Sequence, residues 1–550
     1  MSSKSRQSSE SNCQSDSSIS NDFNPVERHA EDAVRDLGIE ESISQVESNV
    51  EEYLEDHVGE NECQSVVEPS QLRRDTFLSS VYLLLGLTIL QKGLGFVRSV
   101  VICRNLSPEQ MGQWSMTLTF METVSPLLIL SIPACFGRYF EKYESKRQLK
   151  GFIRQSVIVI SLCFVTGLGV LFLFRTPIAR FIYADSYYTP MLMTGLVVVI
   201  PYAIFGVVAS ILTGLRKSQT RTISEFVSGT MFTLLAVTLV ALGGADAYTI
   251  AYSFAGAYCI ASLFSLLRVR GFYRQLDEDQ QPLVWRGTWL RLAPIIVVFW
   301  MTDFLTNLFS TIDRYMIINL SPVQFGDPLQ QVGNYEAAHV IPLLLSAFMA
   351  IVAKVLLPYL SNDWESGNKK LVADKINLSV KLGGIALIAG STMILWVSGF
   401  LFETLFNNKY EGGFQVLPLV IFFYVGIAMS FLLLNYFWCC EKGKYAIFAL
   451  LAGLVANVIT NSILIGTYGI QGAAVGTVVA VATQFLILWV AAWSNGLRAD
   501  WRTPLIFVAG SVLLISPQVA LIGFAAILVF AVSGLMFSPE ERAILLRRNA

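Results

Sequence analysis

The stretch KGLGFVRSVVICRNLSPEQMGQW, Lys92–Trp114, closes one long apolar run and opens the next. It has an echo late in the chain: NLSPVQ at Asn319–Gln324, then VGNY at Val332–Tyr335. In the first copy NLSPEQ runs directly into MGQW. The second copy carries seven extra residues, Phe325–Gln331, between the same two parts. Two pieces repeated in one order predict two homologous halves. The parallel continues downstream, where Leu215–Ala257 matches Glu441–Val479 and Gly244-Ala-Asp-Ala aligns with Gly469-Ile-Gln-Gly. Each repeat spans about six apolar segments, and an even number of crossings returns the chain to its starting side. The halves are therefore expected to lie parallel, related by an axis along a membrane normal.

Of the 550 residues 54% are hydrophobic and only 15% charged, against about 25% charged in soluble domains. Apolar runs of about 20 residues recur along the chain, the pattern of membrane-spanning helices. The runs predict an all-α polytopic membrane protein with about fourteen transmembrane helices. They fall near 77–97, 112–136, 152–174, 187–214, 222–243, 247–267, 290–318, 333–360, 376–402, 414–438, 444–466, 470–493, 504–516 and 518–537. Two six-helix bundles, 77–274 and 285–493, are followed by an extra helix pair at 504–537, split only by Ser516-Pro517, and a tail at 538–550.

The formal net charge of −2 conceals two opposite parts. Residues 1–76 hold 18 acidic and 6 basic side chains, a net of −12, and the remainder is +10. The acidic, Ser-rich start reads as a largely disordered cytoplasmic tail without a signal peptide. Within it, Ile39, Ile43, Val46, Val50 and Tyr53 recur at helical spacing, predicting a short amphipathic helix near 34–58. That helix is either a solvated element or a docking segment for a cytoplasmic partner or another copy of the tail. The eight cysteines show no C-x-x-C spacing and lie mostly in apolar runs, so packing rather than metal or disulfide chemistry is expected. Topology follows from Lys and Arg placement. Loops after even-numbered predicted helices carry 22 of these residues and loops after odd-numbered ones 6, which puts both termini in the cytoplasm.

Ionisable residues at membrane depth cost about 2.5–3.5 kcal/mol each on insertion scales, so each needs a reason. The first predicted helix aligns Thr88, Gln91, Lys92, Gly95, Arg98 and Ser99 on one arc. The second does so with Ser115, Thr119, Glu122 and Pro126. The seventh carries Asp303, Thr306, Asn307, Ser310, Thr311 and Arg314, and the eighth Glu336, His339, Ser346 and Lys354. In a soluble helix such stripes would face solvent; here they predict a water-filled chamber between the halves. Blander readings stand beside this one. Arg98 and Arg314 lie near helix ends, where they can snorkel to the interface. Asp313 beside Arg314 fits a structural ion pair, and His339 fits a hydrogen-bonded packing residue. Clustered Lys and Arg favour an anion such as phosphate, and a hydrated cavity lets a polar head avoid hydrocarbon while its lipid tail stays in the bilayer.

The quoted stretch resembles the first-helix signature of the oligosaccharide flippase family of O-antigen and polysaccharide transporters, within the superfamily that also holds multidrug extruders. IDRYMIINLSP with VGNYEAAHVI is similar to that family's seventh and eighth helices, and EKGKYAIFALLAGLVANVITNSILIGTYGIQGAAVGTVVA to its eleventh and twelfth. The resemblance spans about 77–537. It implies translocation of a lipid-linked oligosaccharide (polyprenyl phosphate or pyrophosphate) from the cytoplasmic to the outer leaflet by alternating access. The cargo would serve surface polysaccharide or lipopolysaccharide synthesis. It also implies that Lys92, Arg98, Arg314 and Lys354 form the cationic cavity. The insertion at Phe325–Gln331 and the long acidic tail depart from the family pattern.

Expected partners are the lipid-linked oligosaccharide, membrane lipids and glycan-assembly proteins reached through the acidic tail; no nucleic acid, cofactor or metal is expected. Two other classes compete. A cation-coupled exporter of small amphiphiles needs a chamber rich in acids and aromatics. A membrane glycan polymerase or ligase needs acid–base groups in a sizeable loop domain. The outer loops offer little beyond Asp185, Asp246, Asp327 and Glu411, and no Walker A pattern occurs. An envelope-assembly scaffold rests on the tail alone.

Overall fold

The computed structural model describes residues 77–279, 283–497 and 500–546. The acidic segment 1–76, with the short helix expected near 34–58, lies outside the described residues.

NLSPEQ is a helix stop and start. Helix α1 (Phe77–Asn105) ends at its Asn, and α2 (Pro108–Ile129) begins at its Pro. Ser107 is the N-cap: its hydroxyl accepts from the Gln110 backbone N–H at 3.2 Å, and Gln110 Oε1 accepts from the Ser107 N–H at 3.0 Å. This reciprocal box satisfies two otherwise orphaned donors, and Pro108 occupies the first turn, where no donor is lost. The late copy behaves differently. After α9 (Trp285–Leu320) a 3₁₀ turn, Val323–Phe325, leads into the extra residues, and the last four of them form the first turn of α10 (Pro328–Val340).

Between them lie α3 (Phe136–Ser145), α4 (Leu149–Leu173), α5 (Arg175–Tyr183), α6 (Thr189–Gly214), α7 (Ser218–Gly243) and α8 (Ala247–Gln275). Beyond α10 come α11 (Leu343–Glu365), α12 (Lys369–Phe406), α13 (Glu411–Cys439), α14 (Lys444–Tyr468) and α15 (Ile470–Ser494). The chain finishes with α16 (Arg502–Ala509), α17 (Pro517–Val532) and α18 (Pro539–Leu546). The protein is thus an all-α polytopic membrane protein. Among the described residues 11 helices are long and apolar enough to cross a membrane, or 12 if one bent pair is a single span.

Four predicted helices differ from those observed. The span expected at 112–136 bends by 64° between Pro108–Ile129 and Ile132–Ser145. Pro126 lies inside α2, and Leu130 and Ser131 both take left-handed backbone (φ 51° and 48°) before Pro133. Non-glycine residues adopt that conformation only when surrounding structure over-determines it. The span expected at 333–360 is two helices, because Pro342 has no N–H to continue the ladder after Val340. The terminal pair expected at 504–537 forms shorter apolar helices, Arg502–Leu514 (closing in a 3₁₀ turn) and Pro517–Val532. Both lean on α12.

Small residues let backbones approach where hydrocarbon supplies no hydrophobic drive. Gly112 on α2 and Gly333 on α10 sit where two helices from the two repeats touch. A Cβ on Gly112 would stand 3.2 Å from Leu329 Cα and closer still to its carbonyl. A Cβ on Gly333 would stand 3.0 Å from the Gly112 nitrogen and closer still to the Pro108 carbonyl. The same end of the molecule carries further links between the repeats. Lys409 Nζ donates to Arg104 O at 2.7 Å, and Tyr410 OH to Leu106 O at 3.3 Å, capping the last carbonyls of α1. A cation at a helix C-terminus is also favoured by the helix dipole. Ser115 reaches Glu336 at 3.1 Å, and Asn319 donates to Phe181 O at 2.9 Å. This end is sealed.

Candidate functional site

Away from the seal, α2, α6, α7, α8 and α9 enclose a cavity of ≈ 420 Å³. Glu122 and Pro126 come from α2, Ser131 from the bend after it, Tyr202 from α6, Arg221 and Glu225 from α7, and Tyr258 from α8. Asp303 and Asn307 come from α9. The strained turn at Leu130–Ser131 therefore serves the site: it carries the Ser131 hydroxyl to the wall beside the Asp303 carboxylate.

The residues expected at the site divide into three groups. Glu122, Asp303 and Asn307 line the cavity together. Glu122 makes no hydrogen bond among the described residues, whereas the Asn307 amide is turned back to the Asp303 carbonyl at 2.8 Å. A second group neutralises itself. Arg314 donates from Nε at 2.9 Å and from Nη2 at 2.7 Å to one oxygen of Glu336, and Ser115 donates to that same oxygen. Beside this pair His339 is buried, with Nδ1 at 3.0 Å from the Tyr424 hydroxyl and its ring 4.6 Å from that of Tyr335. The third group is cationic. Lys92 on α1 and Lys354 on α11 are exposed. Lys92 lies within electrostatic range of Lys354, Arg98 and Glu225. Arg98 is half-buried, its guanidinium 4.2 Å above the Phe232 ring, and Phe232 packs on Trp114 and Phe254.

The four polar arcs thus do not merge into one uniformly cationic lining. Among the described residues Arg221 is the only base on the cavity wall, and it is engaged: Nε donates to Glu225 at 2.8 Å and Nη1 to Thr213 at 2.7 Å. The wall also carries the carboxylates Glu122, Glu225 and Asp303 and the rings of Tyr202, Phe205 and Tyr258, with the Tyr202 and Tyr258 centroids 5.2 Å apart.

Two charged clusters lie elsewhere. Asp313, expected to pair with Arg314, is fully enclosed and takes hydrogen bonds from neutral groups. Asn457 donates at 2.9 Å, Asn461 at 2.6 Å, and Tyr335 and Thr477 at 3.2 Å each. The i, i+4 spacing of Asn457 and Asn461 on α14 is the sequence signal that could have marked them as a pair. Lys381, in the first half of α12 and 0% exposed, donates to Asp500 at 2.5 Å and to both Glu541 oxygens at 2.9 and 2.7 Å. Among the described residues no group of three or more His, Cys, Asp or Glu side chains is placed to hold a metal ion.

Comparison with known proteins agrees with this architecture. An uncharacterized membrane protein, YabM, of Bacillus subtilis (strain 168) is 24% identical over 419 residues, 70% of this chain and 74% of that one. The fold is similar to that of lipid II flippase MurJ in an inward closed conformation, with TM-score 0.63 and 14% identity over 83% of this chain and 100% of the other. It is also similar to a multidrug resistance MATE family transporter of the MOP superfamily in an inward-facing conformation. There the TM-score is 0.57 at 14% identity, over 76% of this chain and 98% of the other. The pattern of the family described as polysaccharide biosynthesis protein matches residues 77–364, more than half of the chain. The protein accordingly belongs to that family.

Proposed function

We propose that the protein is a flippase that carries a lipid-linked oligosaccharide, borne on polyprenyl phosphate or pyrophosphate, from the cytoplasmic to the outer leaflet by alternating access. The product would feed surface polysaccharide or lipopolysaccharide assembly. On this reading the chain crosses the membrane fourteen times, as two parallel-related six-helix bundles and a C-terminal pair, with both termini cytoplasmic. The sealed end is then the outer one. The acidic segment 1–76 would engage glycan-assembly proteins.

One observation carries the reading. A polar cavity lies behind a backbone-tight contact between the two repeats, at Gly112 and Gly333. Such a device has one closed gate and one guest chamber, which is what alternating access requires. Support also comes from Lys92 and Lys354, two exposed cations contributed by the two repeats within electrostatic range of each other, where a phosphate would neutralise their repulsion. The fold likeness to a lipid II flippase points the same way.

A second reading is favoured by the carboxylates Glu122 and Asp303 beside Tyr202, Phe205 and Tyr258. Acids and aromatics suit a cation-coupled exporter of small amphiphiles, and the fold is also that of a multidrug transporter. Depleting the protein in its host separates the two. Accumulation of lipid-linked sugar shielded from a membrane-impermeant probe is the expected result for a flippase. Unchanged sidedness with sensitivity to cationic amphiphiles would establish the exporter instead.

A further inference from the structure

We infer that the cavity is the sugar end of a bipolar site and that it selects neutral or amine-bearing head groups against those containing uronic or other anionic sugars. The inference rests on the flippase reading.

A lipid-linked sugar is itself bipolar, with a phosphate at one end and hydroxyl-rich rings at the other. The site is divided in the same sense. Its cations without an ion pair among the described residues, Lys92 and Lys354, stand off the cavity wall, with Arg98 on the same helix as Lys92. On the wall itself are three carboxylates, Glu122, Glu225 and Asp303, and one base, Arg221, already held by Glu225. Glu122 and Asp303 thus face the guest without a counter-cation on the wall. Ionised carboxylates accept strong hydrogen bonds from sugar hydroxyls or ammonium groups. They repel another carboxylate brought alongside them. The rings of Tyr202 and Tyr258 offer flat apolar surface to the C–H faces of a pyranose.

A second observation fits a wall built for a polar guest. Ser131 is 3% exposed and lies on the cavity wall, its hydroxyl beside the Asp303 carboxylate. It is held there by a left-handed backbone that a serine does not adopt freely. The two patches adjoin, since Lys92 and Glu225 lie within electrostatic range. One molecule therefore spans both, with phosphate toward Lys92 and sugar toward Asp303.

The test uses the full chain in vesicles of zwitterionic lipid with three polyprenyl pyrophosphate trisaccharides, one neutral, one with a free amine and one with a uronate. Each bears a fluorophore on the sugar that an impermeant reductant quenches. Neutral and amine-bearing cargo should cross at least tenfold faster than the uronate. Glu122→Gln combined with Asp303→Asn should shrink that preference below threefold. Uronate crossing at the neutral rate in the unaltered protein overturns the inference while leaving the flippase reading intact, and it does so even if the variant fails to fold. A preference unchanged in a folded variant also overturns it. If no sugar lipid of any class crosses, the flippase reading falls and this assignment with it.

Discussion

Gly112 and Gly333 each face the backbone four residues ahead of the other: Gly112 meets Leu329, and Gly333 meets Pro108. The relation is reciprocal, as expected where two copies of one motif pack about a local two-fold axis. Neither position has room for a methyl group, because the obstacle is backbone that cannot swing aside. Gly112→Ala or Gly333→Ala should separate α2 from α10 and loosen the seal. In a background without native cysteines, a reporter cysteine at Ser115 should become several-fold more reactive to an impermeant thiol reagent. Unaltered reactivity in both variants would show that the contact is not the gate.

The Arg314–Glu336 pair is largely enclosed, with side-chain exposures of 14% and 23%. Removing one member of such a pair costs about 3–5 kcal/mol, chiefly by stranding the other charge. Glu336→Gln should therefore lower thermal stability markedly. The double variant Arg314→Met, Glu336→Leu should recover most of that loss, because neither charge remains to be desolvated. A double variant less stable than the single one would mean that the pair contributes more than mutual neutralisation.

Lys381 ties the end of the chain to α12. Glu541 is 1% exposed and also closes a capping box with Ser538, so α18 is held at its first turn by a buried cation. Lys381→Met should destabilise by about 3–5 kcal/mol, since it leaves Glu541 enclosed beside Asp500. Ending the chain at Ser538 should mimic this by leaving Lys381 with Asp500 alone. Adding Lys381→Met to the truncated chain should restore stability in part. Detergent-solution melting curves of the three proteins decide the matter.

The cations nearest the cavity separate charge from packing. Lys92 is exposed and makes no hydrogen bond among the described residues, so Lys92→Ala should fold normally and lose most transport. Arg98 lies on Phe232, a cation–π contact worth about 0.5–2 kcal/mol. Arg98→Ala should lower both stability and transport, and Arg98→Lys should recover part of each. Full flux in vesicles from Lys92→Ala, Arg98→Ala and the double variant would remove these residues from the mechanism.

Asp313 gathers four neutral donors. Asp313→Leu strands the Asn457 amide, which has no other acceptor among the described residues, whereas Asp313→Asn keeps an acceptor and loses the charge. The leucine variant should be the less stable by thermal melting, by about 2 kcal/mol or more, because unmet buried donors cost about 1–3 kcal/mol each. Equal stability of the two variants would mean that the donors find other partners.

Much of the fold was legible in the chain because its signals are local. Apolar length announces a crossing, and NLSPEQ announces a stop and a start through a serine cap and a proline. Pro342 and the Pro126–Pro133 region were visible as well, but whether a proline kinks a helix or ends it depends on what packs around it. The polar arcs were legible as arcs. Their destinations were not, since a stripe that suits a watery chamber suits a buried ion pair equally well.

The sequence by itself determined the all-helical membrane architecture and the presence of charges within long apolar helices, both of which follow from residue type and short-range spacing. Only the tertiary structure decided which charges meet. Asp313 finds Asn457 at a separation of 144 residues, and Lys381 finds Glu541 at 160. Glu336 takes Arg314 out of the chamber, while Glu122 and Asp303 are left facing it. The reason is physical: a charge enclosed among helices is set by the nearest partner in space, and helix periodicity carries no information about which distant helix will supply it.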